Sequence, residues 1–511
     1  MTKKEQLLAN GAAVASAILA GAGVFCVLVF CYCAYYYGWS RQRQLTSWLG
    51  ITLYYVCPVL VASLLFACLR LRPTQRIKIA LCLCSVSVAT YTLEIGAAIW
   101  FSLPSVLDSQ RRNLLAKAAA AAGTQFDRRS RATVVHDLRS QGIPADPSIF
   151  PQGLLQKQSD KTMKSVISLK GAEVLPLASI SHTFTVLCNE TGKFLSYVSD
   201  EHGFNNPPNI WDKRAIEIVA VGDSYVQGYC VPAGDSFVDK IRNRHPATLG
   251  LGIEGNGPLV MLATIKEYVH ALKPKVVLWF YYEGNDFADL RSEKDSPLLR
   301  RYLTSGFTQG LLGRQSEIDQ ALSDFIEPEI GKSELRKKLE EMAVVGRELK
   351  LSSIESILKL SAFRKRLGLI QGPSNTPSTP SIEDESRAQA MGVLADLLHN
   401  ILLEAKRSVS ECGGTLYFVY LPAWPRYATT EDGGSDSLGA SAFRMGIAKP
   451  DRDRALHSAI SAGLPVIDIH QAFIAQPDPL ALFPFRLAHH YNEAGQRLVA
   501  QEVLRAISPR E

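Results

Sequence analysis

Five short apolar runs, each closed by turn-forming residues, restrict what the chain beyond residue 215 can become. They are Ile216–Val221 in "AIEIVAVGDS", "TLGLGIEGNG" from Thr248, "PKVVLWFYYEGND" from Pro274, "GTLYFVYLP" from Gly414 and "LPVIDI" from Leu464. Near-continuous apolar runs of this length suit strands buried on both faces. Helical stretches separate them: "DSFVDKIRNRH", "PLVMLATIKEYVHALK", "SRAQAMGVLADLLHNILLEAKRSV" and "PDRDRALHSAISAG". Strand alternating with helix predicts an α/β fold, a parallel sheet with helices on both sides. Ligands of such sheets bind at the carboxyl ends of the strands.

The first hundred residues follow a different rule. Three longer apolar runs, Gly11–Trp39, Leu49–Leu69 and Ile79–Phe101, each have about the 20 residues that cross a bilayer as a helix. They predict three transmembrane helices within residues 1–102, and so a lipid bilayer as partner. A cleaved signal peptide is the alternative for the first run, but that run is longer than a usual signal core and two more follow it closely. Glu94 is the one acidic residue inside them. Trp39, Trp48, Trp100 and the tyrosines at 35–37 stand near span ends, as interfacial aromatics do. Arg70, Arg72, Arg76 and Lys78 make the second loop the more basic one. That loop belongs in the cytoplasm with the N-terminus, and everything after Phe101 then lies outside. Arg111, Arg112 and Lys117 pull the other way.

Seven of the ten cysteines lie in the apolar runs, where they pack as small apolar residues. Cys188, Cys230 and Cys412 remain. A Cys188–Cys230 disulfide would suit an oxidising compartment. The net charge of +6 is explained largely by the membrane flanks. No basic stripe interleaved with aromatics stands outside them, which argues against a nucleic-acid partner.

Residues 103–165 read as a linker or stalk, with a helix in "LLAKAAAAAG" and breaks at Gly123 and "GIPADPSIFPQG". Residues 166–511 form the expected α/β domain. A helical insertion at about 290–385 interrupts it, with the charged run "SELRKKLEEMAVVGREL" and the low-complexity loop "GPSNTPSTPSIEDES".

Gly-Asp-Ser occurs twice, at Gly222-Asp223-Ser224 and at Gly234-Asp235-Ser236. The first follows an apolar run and puts Ser224 at a strand's carboxyl end. The second precedes "FVDKIRN", where Asp235 or Ser236 suits a helix N-cap. Ser224 is therefore the candidate nucleophile. Cleaving an ester through a serine needs a base and donors for the developing oxyanion. "GIEGNGP" offers Gly252 and Gly255; "YEGND" offers Gly284 and Asn285; "HHYNEAG" offers His489 and His490. A metal bound by the paired histidines finds no cysteine or carboxylate at ligand spacing. Neither a metal nor another cofactor is expected.

These four blocks in order resemble the SGNH, or GDSL-type, hydrolase family. The resemblance covers about Ile216 to Leu504 without the insertion. It implies a flavodoxin-like three-layer fold, Ser224 as nucleophile with its own N–H in the oxyanion hole, Gly255 and Asn285 as the other donors, and His490 as base. One place departs from the pattern. The family's aspartate, three residues before the histidine, is Leu487 here, or Arg486 if counted from His489. Glu254, Glu283 and Asp468 are the candidates to orient His490 instead.

The resemblance implies a membrane-anchored serine esterase or O-acetyl transferase acting on acyl esters of cell-envelope or exported polysaccharide. It would sit in a bacterial inner membrane with its C-terminal domain outside. The missing aspartate motivates an alternative: a catalytically degenerate domain serving as a carbohydrate-binding or assembly subunit beside a membrane-protein partner.

Overall fold

The five apolar runs become five parallel strands: β1 (Ile218–Gly222), β2 (Thr248–Gly252), β3 (Val276–Tyr282), β4 (Thr415–Leu421) and β5 (Val466–Asp468). They are arranged in the order 2-1-3-4-5, which is the flavodoxin-like order. The computed structural model describes residues 2–35, 51–102, 104–212, 215–327, 360, 382–428 and 449–508. The chain divides into two compact units, and Leu107–Lys338 with Thr376–Glu511 make up the one that carries this sheet.

Alternate residues of each strand face opposite sides, and both sides are buried. Val219, Val221, Val277, Trp279, Tyr281 and Phe418 join one core with helices Pro258–Thr264 and Ile382–Glu411. Ile218, Ala220, Leu278, Phe280 and Val419 join the other with helices Phe237–Arg242 and Glu493–Ile507. This is the three-layer arrangement that the alternation of strand and helix predicts. Strand order reverses between β1 and β3, and the crevice at such a switch point is where these sheets bind ligands. At Gly252 the layers touch: a Cβ there would stand 2.5 Å from Val226 Cβ and 2.7 Å from the Asp223 carbonyl. Only glycine lets the end of β2 lie so close to the turn after β1.

Residues 103–165 carry more structure than a stalk. They contain helices Pro104–Ala121 and Arg131–Ser140 and strands Ala145–Pro147, Leu155–Lys157 and Met163–Ser165. Ala145–Pro147 runs parallel to Phe184–Val186, which pairs antiparallel with Ser196–Val198 in a small three-stranded sheet. The early part of the expected insertion also packs inward, since Leu298, Tyr302, Leu311, Ile318 and Leu322 lie in the first core. Its charged run at 333–349 and most of its low-complexity loop fall outside the described residues.

In the N-terminal unit two helices are long and apolar enough to cross a bilayer, Lys3–Cys33 and the stretch Pro73–Ala97 of the helix Pro73–Ser102. Three were expected. The middle run gives a shorter apolar helix, Thr52–Cys68, about 25 Å long at 1.5 Å per residue against a hydrocarbon core of about 30 Å. Leu49, with Trp39, Trp48 and the tyrosines at 36 and 37, falls outside the described residues. Ala15, Leu19, Leu65 and Ala80 cluster on the inside of this unit, and Gly23 lies against the Phe66 ring. Large apolar residues such as Val14, Phe25, Leu60, Leu81 and Val86 face out. Glu94 is buried.

Candidate active site

Strand β1 ends at Gly222, and Asp223 caps the one-turn helix Ser224–Gln227 by accepting a hydrogen bond from the Tyr225 amide at 3.0 Å. That turn sets Ser224 at the carboxyl end of the sheet. Its Oγ lies 2.8 Å from His490 Nε2. On the other side of the ring, His490 Nδ1 lies 3.0 and 3.1 Å from the two carboxylate oxygens of Glu190, and the His490 backbone N–H donates to the same carboxylate at 2.9 Å. A carboxylate only accepts, so Nδ1 carries the proton, and Nε2 of the neutral ring is left to accept from the serine. The rings of Tyr225 and Tyr229 stand 4.8 and 4.9 Å from the imidazole and hold its plane.

The carboxylate that meets His490 is thus Glu190, a residue outside the expected set. None of the three expected carboxylates hydrogen-bonds His490. Glu283 binds the Arg426 guanidinium, the Tyr420 hydroxyl and the Ala423 amide. Glu254 pairs with Arg131, 3.3 Å away, which also donates to the Tyr229 hydroxyl. Asp468 caps the helix Ile469–Ile474 and pairs with Arg452. Each is neutralised at a post of its own.

Glu190 sits in the connection between strands Phe184–Val186 and Ser196–Val198 of the small sheet. Cys188, two positions earlier, is disulfide-bonded to Cys230, as expected. Burial alone would push the Glu190 carboxyl up, but the charges of His490 and His489 outweigh it and hold it well below its ordinary range. For His490, burial opposes the charged ring, yet the Glu190 carboxylate, helped by Asp223 and Glu254, raises its pKa above the ordinary value. His489 Nδ1 stands 3.7 Å from Glu190 on the far side.

The expected oxyanion donors occupy turns at the strand ends. Gly255 has a φ of +74°, a left-handed backbone that glycine adopts without strain. Among the described residues, nothing takes the amide N–H of Ser224 or of Gly255 as a hydrogen-bond donor. Asn285 stands at the N-cap of helix Asp286–Glu293, after β3, but its side chain does not cap the helix. The Ser224 and Gly255 amides are therefore uncommitted among the described residues, as oxyanion donors must be. Ser236 caps the helix Phe237–Arg242, its Oγ accepting from the Asp239 amide at 3.0 Å. Glu190, Cys230 and His490 place potential metal-ligating atoms within 4.8 Å of one another. However, the sulfur is held in the disulfide, and both ring nitrogens already face Ser224 and Glu190.

No protein-family model matches the chain. No curated protein matches it either. Solved structures do. A lipase/acylhydrolase from Enterococcus faecalis is 13% identical with a TM-score of 0.27, over 58% of this chain and 98% of that one. An alpha/beta hydrolase enzyme from the metagenome of Lake Arreo, Spain, is 13% identical with a TM-score of 0.25, over 57% and 94%.

Behind the Ser224 turn lie four acids. Asp223, Asp286 and Glu293 are buried and Asp289 half-buried. Glu293 accepts from the amides of Gly257 and Leu259 at 2.8 and 2.9 Å, which pins the turn that carries Gly255. Burial, reinforced by their neighbours' charges, pushes Asp289 up to about 7 and Glu293 up to about 8. An unfolded carboxyl titrates near 4, so the native chain keeps protons that the unfolded chain has lost. Stability from these groups is full below about pH 4 and is lost as pH rises through 7 and then 8. Melting curves between about pH 5 and about pH 9 should show Tm falling, with a shallower fall in Asp289→Asn. An identical slope in the variant would contradict this.

Proposed function

We propose that the protein is a membrane-anchored serine esterase or O-acyl transferase that works through a Ser224 acyl-enzyme. The observation that carries this reading is the continuous chain Ser224 Oγ, His490 Nε2, His490 Nδ1, Glu190. His490 takes the serine proton as Oγ attacks the acyl carbon. Charge then develops on the carbonyl oxygen, and the N–H groups of Ser224 and Gly255 with the Asn285 amide are the donors for it. The intermediate collapses, the alcohol leaves with the proton from His490, and the acyl group stays on Ser224. Water or a second hydroxyl, deprotonated by His490, then releases it. Glu190 holds the imidazole in the needed tautomer and stabilises the imidazolium.

The apolar N-terminal helices with outward-facing large side chains support an anchor in a bilayer. The Cys188–Cys230 disulfide supports an oxidising, extracytoplasmic side for the catalytic unit. A membrane-tethered esterase facing outward has acyl esters of envelope or exported polysaccharide within reach, and these are the proposed substrates. The alternative of a silent binding subunit drew its motive from the missing aspartate, and Glu190 supplies a carboxylate in that role.

The test uses the full chain in detergent with an O-acetylated oligosaccharide labelled in the acetyl group. Free labelled acetate marks a hydrolase. Label on an added unacetylated acceptor marks a transferase. A folded chain that yields neither product, and that no fluorophosphonate labels, would overturn the proposal.

A further inference from the structure

The acid and base of this site come from separate parts of the chain, 300 residues apart. Something must hold them together, and one covalent link lies at the right place. Cys188 is two residues before Glu190. Cys230 is six residues after Ser224, just past the glycine that ends the nucleophile helix. Their disulfide joins the Glu190 connection to the nucleophile turn. Leu187, Cys188, Tyr197, Tyr229 and Cys230 form a small buried cluster around it.

Among the described residues, backbone hydrogen bonds close the connection at its base, from the Leu187 amide to Leu195 O at 2.8 Å and from the Leu195 amide to Cys188 O at 3.0 Å, and few ties hold it to the rest of the fold. Asn189 donates to the Asp127 carbonyl, the Asp127 amide donates to Gly192 O at 2.8 Å, and Gln227 Nε2 donates to the Tyr197 hydroxyl at 3.1 Å. Against them stands the cost of withdrawing a glutamate from water. Cys230 itself has a φ of +62°, a left-handed backbone that costs a non-glycine residue free energy and persists only where its surroundings fix it. A cross-link that closes a loop over a sequence separation of 42 removes the chain entropy that would let the connection drift from the site.

We propose that the Cys188–Cys230 disulfide is the positioning device for Glu190. It seats the carboxylate on His490, and the chain without it works only as a serine–histidine dyad. This rests on the reading of Ser224 as nucleophile given above. Reduction by a dithiol transfers two electrons and two protons to the two sulfurs and leaves the dithiol as its cyclic disulfide. Oxidation state and catalytic power are thereby linked.

The test compares wild type, Cys188→Ala/Cys230→Ala, Glu190→Gln and the triple variant as full chains in detergent. Circular dichroism monitors the fold, and p-nitrophenyl acetate reports kcat and KM across pH. The expected double variant is folded, has kcat lowered between about 10²- and 10⁴-fold to the level of Glu190→Gln, and keeps its KM. Its acid limb moves to the same lower pH, and adding Glu190→Gln costs nothing more. Proton NMR supplies a readout independent of turnover. The strongly deshielded His490 Nδ1–H signal, assigned by its loss in His490→Gln, should vanish in the double variant and in dithiol-reduced wild type, and return on reoxidation. A folded double variant that keeps the signal and the wild-type pH profile overturns the proposal. So does one that loses its fold, because the bridge would then hold the domain and not the acid. A wild type without turnover sinks the esterase reading instead, and the NMR signal still decides the role of the bridge.

Discussion

Ser224→Ala is expected to lower kcat for p-nitrophenyl acetate on the order of 10⁴-fold or more and to abolish fluorophosphonate labelling, while Ser236→Ala keeps full activity. Both serines follow Gly-Asp, and only their places in the fold separate them. Ser224 Oγ is 2.8 Å from His490 Nε2, with β1 ending just before it. Ser236 Oγ is committed to the Asp239 amide and carboxylate at a helix start. Losing that cap should cost about 1 kcal/mol, seen as a lower Tm with unchanged turnover. Residual hydrolysis in Ser224→Ala reflects the oxyanion donors alone. Retention of labelling in that variant would mean that another residue is the nucleophile.

Glu190→Gln should lower kcat between about 10²- and 10⁴-fold and move the acid limb of the rate profile. The direction follows from charge. The Glu190 carboxylate favours the protonated imidazole, so His490 titrates above its ordinary value. Catalysis needs the neutral ring, and wild-type activity therefore rises with pH through that elevated pKa. The amide of the variant carries no charge, the imidazolium loses its partner, and the limb shifts to lower pH as the maximum falls. Asp468→Asn serves as the control, because Asp468 is engaged with Arg452 and a helix N-terminus. It should leave the limb where it is. A limb unmoved by Glu190→Gln would remove Glu190 from the catalytic set.

The sheet was legible because a strand buried on both faces must be apolar throughout, as Val219–Val221 and Leu278–Tyr281 are. Ser224, Gly255 and Asn285 each closely follow such a strand, and His490 stands just before the C-terminal helix, so local sequence carries their positions. Glu190 has no such address. It lies in a polar connection, "CNETGK", and reaches His490 only because a small sheet of very short strands delivers it. Strands of three residues leave no periodic pattern to read. The pairing of Cys188 with Cys230 was the usable signal, since it ties position 190 to the neighbourhood of Ser224. Glu254 and Glu283 misled for a related reason: nearness in the motif is not nearness to the imidazole, and the arginines that bind them come from distant segments. Residues 103–165 read as a stalk because proline and glycine interrupt every periodicity there, yet Ala145–Pro147 pairs with a strand that follows in the chain and Leu155–Lys157 pairs with Met163–Ser165.

The spacing of Ser224, His490 and Glu190 along the chain has a kinetic consequence. Ser224 and His490 are 266 positions apart, and Glu190 and His490 are 300. Contacts that close such long stretches of chain form late, because the entropy lost in closing them is recovered only once the intervening elements are packed. A partly folded chain can hold its sheet and most of its helices and still have no competent nucleophile. Under the proposed mechanism, such a chain cleaves no ester until folding is essentially complete.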